Sequence, residues 1–165
     1  MSVLEILWYL GLWGVIGCVI FTFFVILVFR TGLVWTTRSK EDYHFKENIS
    51  LKGKLLMLVI PGAIILLQVL ANFVSLKLQN ISLDLIGLFL LNYGLYLVLF
   101  LYDTLVIDLL VLGVWHPSFL KLPDVEGGVP SIKQHLKLSL PVGIVAGLVL
   151  TLISTLISYL MFFLV

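Results

Sequence analysis

Ile6 to Phe29 reads ILWYLGLWGVIGCVIFTFFVILVF, twenty-four positions without a charge. A helix needs about 20 apolar residues to cross roughly 30 Å of hydrocarbon, so this stretch reads as a membrane span. Three further runs match it: Leu55 to Leu76, Leu85 to Val114 with Asp103 and Asp108 as its only charges, and Leu138 to Val165 with none. All are long and apolar on every face, whereas a membrane barrel alternates polarity over strands of about ten residues. The expected fold is therefore all-α, a four-helix transmembrane bundle forming one membrane domain over residues 1–165, with spans near 6–29, 55–76, 85–114 and 138–165.

Composition agrees. The chain is 61% hydrophobic and 12% charged, against about 45–50% and about 25% in soluble domains, and the surplus apolar surface must face lipid. A net charge of +1 gives no reason to expect nucleic acid. The single cysteine, Cys18, has no partner for an internal disulfide. Met1-Ser2-Val3-Leu4-Glu5 lacks a basic n-region and the apolar run after it is too long for a signal peptide, so the expectation is that the mature protein is 1–165.

The connections differ in charge. Residues 30–54 hold six of the ten Lys/Arg residues, residues 115–137 hold three, and the 77–84 link holds only Lys77. The positive-inside rule puts both long loops in the cytoplasm and the two termini outside. On that orientation the Asn-x-Ser triplets at Asn48 and Asn80 are expected to be chance matches. In the first loop, Arg38, Lys40 and Lys46 mix with Glu41, Asp42 and Glu47 among Trp35, Tyr43 and Phe45, a pattern expected of a solvated loop with interfacial aromatics.

A shift of 80 residues places Val34-Trp35 on Val114-Trp115, Pro61 on Pro141 and Gly14 on Gly94. Such a match reads as two parallel helix-hairpin repeats related by an axis along the membrane normal. Each proline removes a helix hydrogen bond, so a kink is expected there, with the helices beginning earlier, capped at Ser50 and Ser131.

In lipid, helices associate through small residues and interhelical hydrogen bonds. Gly143, Gly147, Thr151, Ser154 and Ser158 fall within an arc of about 80° at helical spacing, the expected main packing seam. Gly11, Gly14, Cys18 and Thr22 form a shorter one on the first span. Gln68, Asn72 and Ser75 share a face of the second span that must point inward, because buried amides need partners.

The third span carries the most chemistry. At α-helical spacing Asn92, Tyr96 and Asp103 lie within about 40°. Tyr93, Thr104, Asp108 and Trp115 form a second stripe, which places Asp108 about 140° around the helix from Asp103. Counting from Leu85, Asp103 lies about 27 Å in and Asp108 about 35 Å, near the cytoplasmic edge. Carboxylates there mark a functional hypothesis. Trp115-His116-Pro117-Ser118-Phe119-Leu120-Lys121-Leu122-Pro123 is too apolar for an ordinary loop and too broken for a helix, and is expected to lie in the interface. His135 falls at similar depth.

The leading functional expectation is a small membrane bundle that binds a ligand, ion or partner subunit at its cytoplasmic end, through the third span and the segment holding Trp115, His116, Pro117 and Phe119. One alternative is a channel or proton-coupled transporter subunit whose path uses Gln68, Asn72, Asn92, Tyr96 and Asp103. Another is a lipid-active enzyme with Asp108, His116 and His135 as acid/base groups; no nucleophile motif or phosphate loop supports it. The histidine spacing is not a metal-ligand pattern, so no metal is expected, and no cofactor is indicated. The expected partners are the lipid bilayer and either further copies of the chain or the other subunits of a membrane complex.

Overall fold

A computed structural model describes residues 1–31, 51–79, 81, 83–115 and 132–162. The readings at Ser50, Asn48, Asn80, His116, Pro117, Phe119 and Ser131, and the charged and aromatic loop before residue 51, lie outside those residues. So does the side chain of His135.

Four helices carry the described chain: α1 (Val3–Thr31), α2 (Leu51–Asn72), α3 (Leu85–Tyr102) and α4 (Ile132–Phe162). Four stretches are long and apolar enough to cross a membrane: Val3–Leu27 in α1, Leu58–Lys77 and Leu85–Val111, which begin in α2 and α3 and run on past their ends, and Ser139–Phe162 in α4. Local chemistry sets the starts. Ser2 and Glu5 form a reciprocal capping box on α1: the Ser2 amide donates to Glu5 Oε2 at 2.6 Å, and the Glu5 amide to Ser2 Oγ at 3.3 Å. Asp84 caps α3 by accepting from the Gly87 amide at 2.9 Å. Pro61 and Pro141 lie inside α2 and α4, and both helices begin well before them, as anticipated.

Two segments depart from α geometry. Phe73–Lys77 follows α2, and Asp103–Trp115 follows α3, as π-helix with i→i+5 bonding. A sequence run of apolar residues does not distinguish the two windings, so the expected spans were drawn through both.

Side-chain contacts give the helix directions. From α1 to α3, Gly14 meets Val98, Gly17 meets Leu99 and Thr22 meets Tyr102, so the pair runs parallel. From α2 to α4, Gln68 meets Ser154, Asn72 meets Ser158 and Lys77 meets Phe162, also parallel. Asn92 with Thr155, Tyr96 with Gly147 and Phe100 with Gly143 make α3 and α4 antiparallel. Tyr9, Asn72 and Ser158 lie at one level, so the starts of α1 and α3 share an end of the bundle with the finish of α2 and α4.

The bundle is thus two hairpins side by side, α1 on α3 and α2 on α4. Across these two parallel pairs, the hydrogen-bonded residues are separated by 80, 85 or 86 positions. One hairpin relates to the next by a sideways shift. The twofold axis along the membrane normal that the repeat suggested is not the relation found, because rotation would set like helices diagonally.

Small residues decide how closely the helices approach. A Cβ on Gly147 would lie 2.1 Å from Tyr96 Cε1, and one on Gly143 would lie 2.1 Å from Phe100 Cε2. These glycines are sockets for two rings of a stacked series on α3. Phe89, Tyr93, Tyr96 and Phe100 stand with successive centroids 6.1, 6.3 and 6.0 Å apart. On α1, Gly14 and Gly17 receive Val98 and Leu99, while nothing lies within 4 Å of a Cβ at Gly11. Outside these seams the surface is leucine, isoleucine, valine and phenylalanine, including Leu4, Val15, Phe23, Ile86, Val142 and Leu160. Lipid matches such a surface and water does not.

Gly147→Ala is expected to destabilise the bundle by about 1–3 kcal/mol, the usual penalty of overpacking. Tyr96 cannot swing away, because its hydroxyl is tied to the Gly143 carbonyl at 2.7 Å. Gly11→Ala is expected to be neutral. Unfolding of both variants in detergent micelles checks the contrast.

Candidate functional site

Polar side chains collect along the centre of the bundle, one group from each helix. Gln68, Asn72, Asn92, Thr151, Ser154 and Ser158 are each 0% exposed, and Thr155 1%. Amides at such positions must be paired in hydrocarbon, and α2 holds two of them one turn apart on the face toward α4.

At one level, Tyr9 of α1 donates its hydroxyl to Asn72 Oδ1 at 2.8 Å, and Asn72 Nδ2 donates to Ser158 Oγ at 2.9 Å. Three helices are joined through one carboxamide. One turn away, Gln68 Nε2 donates to the Asn92 carbonyl at 2.9 Å, and Gln68 Oε1 accepts from Ser154. Asn92 Nδ2 donates to Thr155 Oγ1 at 3.0 Å. Toward the loop end, Tyr96 reaches the Gly143 carbonyl. At the margins, Trp13 Nε1 donates to Ser75 Oγ at 2.8 Å, and the Thr22 and Tyr102 hydroxyls meet at 2.5 Å.

Of the five residues read as a ligand or ion path, Gln68, Asn72, Asn92 and Tyr96 hold helices together through direct hydrogen bonds. Asp103, half-buried, is the first residue of the second π segment. Sequence reading missed Tyr9, 2% exposed, and Thr155. Nothing in the sequence around Tyr9 separates a buried hydroxyl from an interface anchor. Thr155 lies one step off the small-residue stripe, although its hydroxyl on a buried face was a usable signal.

The π winding corrects the placement of the aspartates. In α geometry Asp103 and Asp108 fall on different sides of the helix. With i→i+5 bonding, residues five apart stand one turn above each other on nearly the same side. Both are half-buried, and Thr104 and Ile107 between them are 3% and 4% exposed, so this side of the segment faces protein. Trp115, at the end of the segment, is 63% exposed. Of the proposed acid/base set, only Asp108 lies among residues whose side chains are described. Among these, no three His, Cys, Asp or Glu side chains gather as a metal site would require.

An open apolar groove of about 1030 Å³ runs between α1 and α3, lined by Leu10, Gly11, Val15, Cys18, Val98 and Tyr102 among others. A smaller one, about 270 Å³, lies near Met1, Leu83 and Gly87 at the opposite end from the loops.

No family model, curated protein or solved structure matches this chain.

The Tyr9–Asn72 contact is open to direct measurement. A double-mutant cycle of Tyr9→Phe and Asn72→Ala is expected to give a coupling of about 0.6 kcal/mol, the average for hydrogen bonds between membrane helices, and no more than about 1.7 kcal/mol, the maximum. Unfolding free energies in bicelles supply the four corners.

Proposed function

We propose that this protein is a multi-pass membrane bundle that binds a cationic ligand or a lysine- or arginine-bearing partner subunit at its loop end. The observation that supports this reading is the π-helical segment from Asp103 to Trp115, whose wider turn brings Asp108 round toward the side of Asp103. π winding gives up the regular α hydrogen-bond pattern and recurs at functional sites. Here it falls on the segment with the only acidic residues of the third span. Two carboxylates one turn apart at the edge of a low-dielectric bundle attract a cation more strongly than either alone.

The remaining polar groups support a binding role over transport. Gln68, Asn72, Asn92 and Tyr96 are engaged in holding four helices at fixed distances, which suits a rigid platform. With nine of the ten Lys/Arg residues in 30–54 and 115–137, the loop end is the cytoplasmic end by the positive-inside rule. The partner then approaches from the cytoplasm or laterally from the same leaflet.

Mild-detergent extraction tests the reading. The wild-type chain of 18.6 kDa is expected to run as part of a larger particle with a co-purifying component. Asp103→Asn combined with Asp108→Asn is expected to reduce that component at least tenfold in variant protein that still elutes as a folded, helical chain. Equal recovery from the double variant contradicts the proposal.

A further inference from the structure

We infer that the α3–α4 seam contains an internal binding site for one water molecule, held between Asn92 Oδ1 and Thr151 Oγ1. Both atoms are fully buried and neither has a hydrogen-bond partner among the described residues. Both residues are 0% exposed. A buried carboxamide oxygen and hydroxyl in hydrocarbon each lose several kcal/mol when left unpaired, and buried polar groups in folded proteins are paired with protein or ordered water.

The seam places the two groups on the same rung. Along α4, Thr155 bonds Asn92 Nδ2, and Gly147 underlies the Tyr96 ring. Thr151 is the residue midway between Thr155 and Gly147, one turn from each and on the same buried face. Asn92 and Tyr96 are likewise one turn apart on α3. Thr151 therefore faces the interval between those side chains. That interval is closed on one side by the Asn92–Thr155 bond and on the other by the Tyr96 ring. Ser154, whose hydroxyl reaches the Thr151 carbonyl at 3.0 Å as well as Gln68, borders it from α2's side.

The chemistry selects water. Asn92 Oδ1 only accepts, and Thr151 Oγ1 both donates and accepts. A water donates to the first and either donates to or accepts from the second, meeting the two partners an internal water needs at minimum. A sodium or potassium ion would find neutral oxygens here and no counter-charge in a low-dielectric seam, an arrangement costly for a bare cation. The site is independent of the proposed function at the loop end. It makes the Asn92 rung a hydrated contact, whereas the Asn72 rung is closed by direct bonds.

Water-edited solid-state NMR on side-chain-labelled asparagine in liposomes tests the site. The wild-type Asn92 amide is expected to receive water magnetisation, and the Asn72 amide to receive at least fivefold less. Thr151→Ser is expected to keep the Asn92 signal, and Thr151→Val to abolish it. No transfer to Asn92 in the wild type overturns the proposal whether or not the valine variant folds. Transfer unchanged in Thr151→Val overturns it too. An Asn92 shift that changes when sodium or potassium replaces choline identifies a cation and overturns the choice of water.

Discussion

A carboxamide in hydrocarbon is tolerated only where its donors and acceptors are met, and three of them govern this bundle. Gln68, Asn72 and Asn92 are each 0% exposed, and their partners come from all four helices. Apolar side chains gain little by leaving lipid for another helix, so the long leucine and isoleucine faces do not choose a neighbour. The amides do. Asn72 brings α1 and α4 onto α2, Gln68 fixes the register of α2 against α4 and reaches α3, and Asn92 ties α3 to α4. Glycines at 143 and 147 then let the aromatic side of α3 come close enough for these bonds to form.

The change of helix winding coincides with two polar residues. The α geometry of α2 ends at Asn72, and that of α3 ends just before Asp103. Beyond each point the backbone takes the wider turn. The wider turn has a chemical consequence only in the second case, where it carries Asp108 round to the side of Asp103. By the trend from tighter to wider helices, a π turn also advances less per residue. Asp108 therefore lies closer in depth to Asp103 than the α count of about 35 Å against 27 Å suggested.

The four long apolar helices and the inward direction of the Gln68–Asn72 face were legible because each rests on hydrophobic length or on the cost of burying an amide. Both are properties of residue type. The small-residue stripe of α4 was legible for the same reason, although not that it serves two neighbours at once, with Gly143 and Gly147 against α3 and Ser154 and Ser158 against α2. The relation between the hairpins was not legible. An 80-residue match fixes which positions correspond but not the operation that relates them. The aspartates were misplaced because a 100° step assumes α winding, and nothing in Asp103-Thr104-Leu105-Val106-Ile107-Asp108 announces a different turn. Tyr9 was overlooked because a tyrosine near a helix end is usually an interface anchor; its hydroxyl instead points to an amide 63 positions away.

The proposed function divides the molecule in two: a polar core that joins four apolar helices, and an end at Asp103 and Asp108 where a cation would bind. The division depends on the amides meeting α4 directly, within the bilayer. Through-space nitrogen–carbon correlation spectra of the unmodified protein in liposomes, labelled at asparagine, serine and threonine, measure that contact. The account predicts cross-peaks from Asn72 Nδ2 to Ser158 Cβ and from Asn92 Nδ2 to Thr155 Cβ. Side-chain amides that correlate with lipid or bulk water and with neither α4 residue would contradict it.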